Sequence, residues 1–403
     1  MGLDSDRDTP VVRRGSPARP HPARCLRRSV ALLLGGLGVL PFSATGTTLP
    51  AAAERVAARV VAANKSYDNV NPYLSRTYTF DLTLEALLEM SETSGNPAWR
   101  EHALRVVRRR ALTPATPLPY QAQPFTAINH ALFRATGDHA WLPIFVRESE
   151  FWRREAARSP EGAVLTYSRS DPSVRALLID SLQEYCARMA RCGQITGDAS
   201  FYRECATQFR LFRQLLRDPR SGLWSQGRGW IEGKPAEISP GAWSRGHGWL
   251  LRGLTAALAS TPRDSDDFRE LQALLAESAD ALLPLQQKSG MWHTLLHRPA
   301  ADSPAETSGT AMIATAFSRA WREKLLDDIR LRESAEKAFA ALPDCVNEHG
   351  VVLGTSPGPG PLRTEAPYLI AKFRPDDPHG TFAVLFAAAE ALRLERALQS
   401  SQR

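Results

Sequence analysis

Residues 189–212 read MARCGQITGDASFYRECATQFRLF, a stretch that combines the end of one amphipathic helix, a tight turn and the start of another helix. The same phrase occurs at residues 87–107 (LLEMSETSGNPAWREHALRVV) and 130–152 (HALFRATGDHAWLPIFVRESEFW), with turn glycines 42 and 60 residues apart. Glycine suits the left-handed position that ends a helix, and the Asn or Asp after it can cap the next one. The repetition predicts stacked helical hairpins.

Apolar periodicity extends this pattern along the chain. It predicts helices over Phe268–Leu283 and Leu331–Leu342, each stopped by a proline, while strand signals are sparse and GVVLGT at 350 is the best of them. We therefore predict one all-α domain over residues 52–397, as an open solenoid or a closed ring. In a closed ring, long loops gather around one pocket. Glycine-rich loops are predicted near 221–248, 288–310 and 350–380.

The first 46 residues resemble an export leader. Basic residues up to Arg28 precede the apolar run SVALLLGGLGVLPFSATG, which ends in small residues and is short for a lasting membrane span. The Arg27-Arg28 pair also resembles a twin-arginine signal, although an ordinary export signal fits too. We expect a bacterial periplasmic or secreted protein with no membrane segment after cleavage.

Charge and cysteine content narrow the function classes. The leader's seven arginines and three aspartates account for +4 of the formal +7, so the remaining chain does not favour nucleic-acid binding. Cys186, Cys192, Cys205 and Cys345 form no CxxC pair, and one unassignable disulfide after export is possible. No Gly-rich phosphate loop, nucleophile elbow or HExxH spacing occurs, so we predict neither a metal nor a cofactor.

The stretch WSRGHGW, residues 243–249, is either a seal between loop and core or a pocket wall. Trp243 and Trp249 alone fit both interpretations. Arg245 favours the wall, because a guanidinium fixed between aromatic planes is preorganised for a carboxylate, and tryptophan faces suit sugar rings.

Asp180 follows the apolar run ALLI in VRALLIDSLQEYCARMA, which we predict to be an amphipathic helix. The residue is either an ordinary solvated aspartate or a carboxyl directed into the pocket with a raised pKa. Trp292 and His293 in GMWHTLL, and Arg374 further on, are further candidates for the pocket, although a lone histidine is more often structural and an isolated arginine is more often solvated. Glu306 in AETSGTAM reads as the cap of a buried helix.

Taken together, these segments resemble glycoside hydrolase family 105, the unsaturated rhamnogalacturonyl hydrolases, and its relative family 88. The resemblance runs from about Tyr78 to Leu392. It rests on order and spacing together: IDSL ahead of GQITGD, then DPRSGLWSQG, WSRGHGW, GMWHTLL, ETSGTAM and GTFAVLFAAAE.

The resemblance implies an (α/α)6 barrel with its active site at one end. It also implies hydration of the C4=C5 enol ether of an unsaturated uronic acid, after which the neighbouring sugar is released. Asp180 matches the family's aspartate, which protonates C4 and helps activate the water that adds at C5, whereas Trp243, Arg245 and Trp249 match its sugar-binding residues. The implied partner is an acidic oligosaccharide, and we expect a monomer or weak oligomer.

The chain departs from the family pattern in two places. Gln226 stands where the family commonly has histidine, and glutamine cannot shuttle a proton. A second acidic residue is expected before the ATGD turn, yet YQAQPFTAINHALF offers only Gln123, Asn129 and His130. His247, where asparagine or glutamine is usual, is a candidate to compensate.

Two alternatives to hydration chemistry stay open at this stage. One is a conventional glycosidase with two carboxylates flanking the bond, against which the missing second acid argues. The other is a catalytically weak sugar-binding member of the same fold. Loss of the ultraviolet absorbance of the C4=C5 bond would separate hydration from both.

Overall fold

The computed structural model describes residues 46–64, 78–111, 127–167, 175–231, 233–358, 360–370 and 373–401. The predicted export leader, except for Gly46, and Gln123 lie outside these ranges, so both remain predictions, as do the predicted domain boundaries.

The described residues are mostly helical. The helices are α1 (Leu49–Asn64), α2 (Tyr78–Ser94), α3 (Pro97–Ala111), α4 (Ile128–Thr136), α5 (Trp141–Glu155), α6 (Ala187–Thr196), α7 (Ala199–Leu216), α8 (Ser244–Ser260), α9 (Asp266–Leu282), α10 (Thr307–Arg322), α11 (Ile329–Ala341), α12 (Ala366–Ile370) and α13 (Pro378–Ser401).

The helices form two concentric rings. In the inner ring α4 packs on α2, α2 on α13, α13 on α10, α10 on α8 and α8 on α6, while α5 contacts both α4 and α6. Five inner helices each pack against the outer helix that follows them in sequence, whereas α13 packs against α1, from the other end of the chain. This arrangement confirms the predicted all-α (α/α)6 barrel and selects the closed ring over the open solenoid. Between the rings lies an apolar core that includes Phe209, Phe212, Leu254, Leu275, Phe317 and Leu331.

The repeated turns have the conformation that the sequence predicts. Gly95, Gly137 and Gly197 have φ values of 77°, 71° and 74°. After Gly197, the Asp198 carboxylate accepts the backbone N–H of Ser200 at 2.8 Å, and Asn96 caps α3 in the same way. After Gly137, Asp138 accepts the N–H of Ala140 at 2.9 Å in the turn just before α5. The turn chemistry thus fixes the hairpins locally.

The two ends of the barrel differ in their connections. Long segments lead into the inner helices, such as residues 217–243 before α8 and 342–377 before α13. Short turns leave those helices at the other end, such as residues 95–96 and 197–198. The long connections therefore collect at the N-terminal ends of the inner helices, where a pocket is expected.

A small antiparallel sheet stands before α6. Its strands are β1 (Thr166–Tyr167), β2 (Arg175–Leu178) and β3 (Gly227–Arg228), in the order β1-β2-β3. The prediction of a helix over residues 174–190 is therefore wrong for its first part, because the RALL segment pairs with β1 on one side and with β3 on the other. The other predicted strand, GVVLGT, forms only a bridge between Val352 and Val346.

The inner helix that follows begins with a π-helical turn, Leu182–Cys186, before continuing as α6. Helix α8 lies close against this wide turn at Gly253, since a Cβ there would stand 2.6 Å from the Leu182 carbonyl oxygen. Only glycine permits this approach.

The far end of the inner ring holds a paired cluster of charges. Glu390 on α13 accepts hydrogen bonds from Ser318 at 3.0 Å and from Nε of Arg322 at 2.8 Å. Arg393 reaches Glu89 on α2 at 2.6 Å and Glu92 at 3.1 Å. Burial alone would raise the pKa of Glu89, but the charge and hydrogen bond of Arg393 and the charge of Arg134 lower it to about 2.

Membrane-spanning helices and metal sites are absent from the described residues. Among them, no helix is long and apolar enough to cross a bilayer. Within the same ranges, no group of three or more His, Cys, Asp or Glu side chains could hold a metal ion. Cys186, Cys192, Cys205 and Cys345 are free thiols.

Candidate active site

Asp180 lies in the turn between β2 and the π-helical turn, at the end of the barrel that carries the long connections. Its carbonyl oxygen accepts the Gln183 N–H at 3.1 Å and so begins the helix. Its carboxyl Oδ2 is buried and has no hydrogen-bond partner among the described residues. Burial raises the pKa of Asp180 to about 6, although the nearby Arg245 charge partly opposes the rise.

Arg245, on the first turn of α8, is fully buried and held from several sides. Its Nη1 lies 3.0 Å from Oγ of Ser308, 2.9 Å from the Ser356 carbonyl oxygen and 3.6 Å from Oε1 of Glu306. Its Nη2 donates to the Pro357 carbonyl at 3.1 Å. The Nε–H is buried with no partner in the described chain, so this edge of the guanidinium is the one left for an anion.

Glu306 holds together the helix end and the loop that surround Arg245. It is the N-cap of α10, where its carboxylate accepts the backbone N–H of Gly309, and it also accepts the N–H of Ser356 at 2.9 Å. The predicted cap is confirmed, and it also anchors the loop that holds Arg245.

The two tryptophans of WSRGHGW are buried in different surroundings. The Trp243 ring lies under the Arg245 guanidinium, 4.1 Å from its centroid, and its Nε1 donates to Oγ of Ser356 at 3.3 Å. Trp249 instead packs against Phe382 at 5.7 Å, and its Nε1 is buried with no partner among the described atoms. The guanidinium is therefore stacked on one indole and not held between two.

His247 links two loops by its ring nitrogens. Nδ1 lies 2.9 Å from the Trp243 carbonyl oxygen, and Nε2 accepts the Trp224 N–H at 2.9 Å. Burial lowers the pKa of His247 to about 4, so the ring is neutral in ordinary buffers. The suggestion that His247 compensates for a missing proton carrier is not supported by this geometry, because both nitrogens are bound to backbone.

Gln226 lies beside Asp180. Its carbonyl accepts the Ile179 N–H at 3.0 Å, and its side-chain oxygen accepts the hydroxyl of Tyr368. Tyr368 packs against Gly241, where a Cβ would stand 3.0 Å from the ring. Burial raises the pKa of Tyr368 to about 12, and the Asp180 charge adds to the rise. The sequence analysis did not single out Tyr368.

The remaining predicted binding residues lie on the connections before α10 and α13. Trp292 lies in the core, where its Nε1 donates to the Leu282 carbonyl at 3.0 Å and its ring meets Phe317. His293 is buried and bonds the Gln287 side chain at 2.7 Å. For these two residues a structural role explains the position better than a substrate contact does. Arg374 is exposed on the connection before α13.

The place expected for a second acid carries no acid–base group that suits catalysis. Asn129, on the first turn of α4, donates to Glu148 at 3.4 Å. Burial and the charges of Arg191 and Arg134 lower the pKa of His130 to about 3. The second acidic residue of the family pattern, which the sequence lacks, is therefore not replaced by Asn129 or His130 in the structure.

Sequence reasoning missed a hydrogen-bonded chain that begins in the segment PDDPHG before α13. Asp377 Oδ1 lies 2.7 Å from Nδ1 of His379, whose Nε2 lies 2.5 Å from the Tyr78 hydroxyl oxygen on α2. An Asp-x-His pair at a helix start was the available signal. Tyr78, which lies 301 residues away, gave none.

The family model for Glycosyl Hydrolase Family 88 matches residues 52–395. The chain belongs to glycosyl hydrolase family 88. The resemblance drawn from IDSL, WSRGHGW and the associated motifs is thereby confirmed, as is the class of glycoside hydrolase.

Curated relatives of this family 88 chain have related names. An unsaturated 3S-rhamnoglycuronyl hydrolase of Formosa agariphila is 33% identical over 187 residues, which is 45% of this chain and 42% of that protein. An unsaturated rhamnogalacturonyl hydrolase of Bacillus subtilis is 25% identical over 277 residues, covering 68% of this chain and 77% of that protein. The match thus spans less than half the length of the Formosa protein.

Solved structures share the fold of the family 88 chain. A possible member of the GH105 family from Klebsiella pneumoniae superposes with a TM-score of 0.74 at 24% identity, covering 86% of this chain and 93% of that one. An unsaturated glucuronyl hydrolase from Bacillus sp. GL1 gives a TM-score of 0.64 at 16% identity, covering 87% and 96%.

Proposed function

We propose that this protein hydrolyses unsaturated uronyl oligosaccharides by hydrating the C4=C5 enol ether, with Asp180 as the proton donor. The names of its relatives support the substrate class. The observation that carries the proposal is Asp180 itself, a carboxyl whose Oδ2 is buried without a partner and whose pKa is raised to about 6. Such a carboxyl keeps its proton to higher pH than a solvated aspartate, as a general acid must.

The reaction follows from that proton. Asp180 transfers it to C4, so that positive charge develops at C5 and the ring oxygen, and a water molecule adds at C5. The resulting hemiketal opens, which releases the neighbouring sugar with consumption of one water. The Trp243 and Arg245 pair supplies a buried cation near Asp180, and its free Nε–H suits the uronate carboxylate.

The deciding experiment follows the ultraviolet absorbance of lyase-generated unsaturated disaccharides from rhamnogalacturonan, glucuronan and glycosaminoglycans. We expect decay with the wild type and a loss of at least about 10³-fold in kcat for Asp180→Asn, since the variant lacks the proton. Asp327→Asn is the matched control, because Asp327 is exposed between α10 and α11 at the other end of the barrel.

The two alternative functions predict different results in these assays. A sugar-binding protein without turnover would bind a disaccharide, by calorimetry, while its absorbance stayed constant. A conventional two-carboxylate glycosidase would cleave saturated substrates, an outcome that the absence of an acid at Asn129 and His130 disfavours. Full activity in Asp180→Asn would refute the assignment of the proton donor.

We further propose that the protein is exported and works outside the cytoplasm on acidic oligosaccharides, as a monomer or weak oligomer. The leader-like residues 1–46 and the family's substrate class support this proposal. N-terminal sequencing of the protein recovered from periplasm and medium tests export, because a retained leader in the cytoplasm would contradict it.

A further inference from the structure

The short helix α12 carries the side chain of Tyr368 into the base of the candidate active site. Its neighbours Ala366 and Pro367 are exposed, whereas Tyr368 is only 2% exposed. The Tyr368 hydroxyl accepts the backbone N–H of Leu362 at 3.4 Å and donates to Oε1 of Gln226. An amide oxygen only accepts, so the tyrosine is the donor of the second bond.

Gln226 connects that hydroxyl to the turn that carries Asp180. The carbonyl oxygen of Gln226 accepts the N–H of Ile179, the residue before Asp180, at 3.0 Å, and its own N–H donates to the Gly241 carbonyl at 3.2 Å. The residue is 3% exposed, so water does not compete freely for these bonds. The side-chain bond from Tyr368 therefore restrains the segment that fixes the position of Asp180.

The Tyr368 ring supports the other half of the site. It belongs to a buried apolar cluster with Trp243 and Leu295 that is separate from the core between the rings. The ring also packs on Gly241, where a Cβ would stand 3.0 Å from two of its carbons. Because the Arg245 guanidinium lies 4.1 Å from the centroid of the Trp243 ring, this cluster is the base on which the cation rests.

Helix α12 is itself held in place by Glu365, the residue before its first turn. The Glu365 carboxylate lies 2.7 Å from Nε2 of His297 and also accepts from Nε of Arg298. Its carbonyl oxygen accepts the N–H of Tyr368 at 2.9 Å. His297 and Arg298 follow Leu295 on the connection before α10, so that connection supplies both the ion pairs and part of the apolar cluster.

We propose that Tyr368 is a positioning residue for the hydration reaction; this inference rests on the proposed function. Its hydroxyl holds Asp180 in place through Gln226. Its ring holds Arg245 in place through Trp243. Misplacing a reacting group by about 1 Å can cost on the order of 100-fold in rate, so a support shared by the proton donor and the cation affects both chemistry and binding. The hydroxyl should mainly set kcat, and the ring should also set KM.

The test is the measurement of kcat and KM on an unsaturated disaccharide for wild type, Tyr368→Phe and Tyr368→Leu. Tyr368→Phe keeps the ring, so we expect kcat to fall about 10-fold while KM changes less than about 2-fold. Tyr368→Leu also loses the ring, so KM should rise by about 5-fold or more. Tyr202→Phe, at another buried tyrosine on the outer helix α7, is the matched control and should keep both constants.

A double variant tests the route through Gln226. Gln226→Met removes the acceptor of the tyrosine hydroxyl and keeps the length of the side chain. If Tyr368 acts on Asp180 through that acceptor, Tyr368→Phe should lower kcat no further in the Gln226→Met background. The different effects of Tyr368→Phe and Tyr368→Leu on KM decide the matter even where Gln226→Met is inactive.

Three results would overturn the inference and leave the hydration reaction standing. They are an unchanged kcat in Tyr368→Phe, a full 10-fold fall repeated in the Gln226→Met background, and losses that follow only the folded fraction, which circular dichroism measures for each variant. A wild type that turns over none of the disaccharides would overturn the proposed function together with this inference, and is thereby distinguished from failure of the positioning role alone.

Discussion

The two ends of the inner ring hold carboxyl groups that are partly shielded from solvent and have pKa values shifted in opposite directions. At the far end, Glu89 is paired with Arg393 at 2.6 Å, and its pKa is lowered to about 2. At the pocket end, Asp180 has no partner for Oδ2 among the described residues, and its pKa is raised to about 6.

The difference shows that burial alone does not set the ionisation of a carboxyl. Burial disfavours the charge at both places, but a cation in hydrogen-bond contact reverses its effect for Glu89. Arg245 does not reverse it for Asp180, because Ser308, Ser356 and the Pro357 carbonyl hold its nitrogens. The barrel is thus stabilised by paired charges at one end and keeps an unpaired acid at the other.

The largest loss of stability is expected when the carboxylates at the far end of the inner ring lose their cation. Arg393→Leu removes the partner of Glu89 and Glu92, and we expect the free energy of unfolding at pH 7 to fall by about 3–5 kcal/mol. Asp180→Asn should leave it unchanged or raise it, since it removes a buried charge without a partner. Urea denaturation followed by circular dichroism measures both.

Arg330→Leu provides the matched control for that comparison. Arg330 also contacts two carboxylates, Asp280 and Asp328, but its side chain is exposed, so we expect a much smaller loss of stability. Equal losses in Arg393→Leu and Arg330→Leu would mean that the far end is not a special source of stability.

The pH dependence of stability should sharpen the comparison further. The folded pKa of Asp180, about 6, exceeds its ordinary value of 3.8, so ionisation destabilises the fold as pH rises from about 4 through 6. A difference of two pKa units corresponds to about 3 kcal/mol. Asp180→Asn should therefore gain stability over wild type by up to about that amount between pH 4 and 7.

Glu89 should show the reverse dependence. Its folded pKa, about 2, is below its ordinary value of 4.5, so its stabilisation is present above pH 4.5 and is lost as pH falls towards 2. Glu89→Gln should thus have a lower free energy of unfolding than wild type at pH 7, and the difference should shrink as the pH falls towards 2. If the stability differences of Asp180→Asn and Glu89→Gln from wild type changed with pH in the same direction, the two carboxyl groups would not differ as described.

The smallest effect is expected at His247. His247→Ala leaves the Trp224 N–H and the Trp243 carbonyl without their side-chain partner, which costs about 2 kcal/mol in unfolding free energy. Turnover per folded molecule should change less than about 3-fold, as measured by steady-state kinetics beside a thermal melt. A loss of more than about 100-fold in turnover with unchanged stability would instead indicate that the imidazole takes part in the reaction.

The sequence predicts the fold well because its signals are local. The glycine and Asn or Asp of each turn specify a helix end and a helix start within five residues, as at Gly197 and Asp198. Asp180 and Arg245 were also recognisable, since their motifs are short and contiguous.

The features that could not be predicted from the sequence depend on contacts between separate segments of the chain. The RALL segment has a periodicity that fits helix or strand, and its pairing with residues 166–167 and 227–228 decided for strand. His247 looked like a pocket residue until its backbone partners were known. The Tyr78 and His379 pair joins α2 to α13, which are 301 residues apart in sequence, so no local pattern connects them.

The π-helical turn Leu182–Cys186 has a consequence for how this fold tolerates insertions and deletions. A π turn contains one residue more than the α-helical turn it replaces, and each residue of an α-helix advances the chain by about 100°. Deleting one codon within residues 182–186 should leave α6 in place yet rotate Asp180 out of its present direction. The position of the proton donor thus depends on a single extra residue, and an ordinary length change at this one point is enough to remove it.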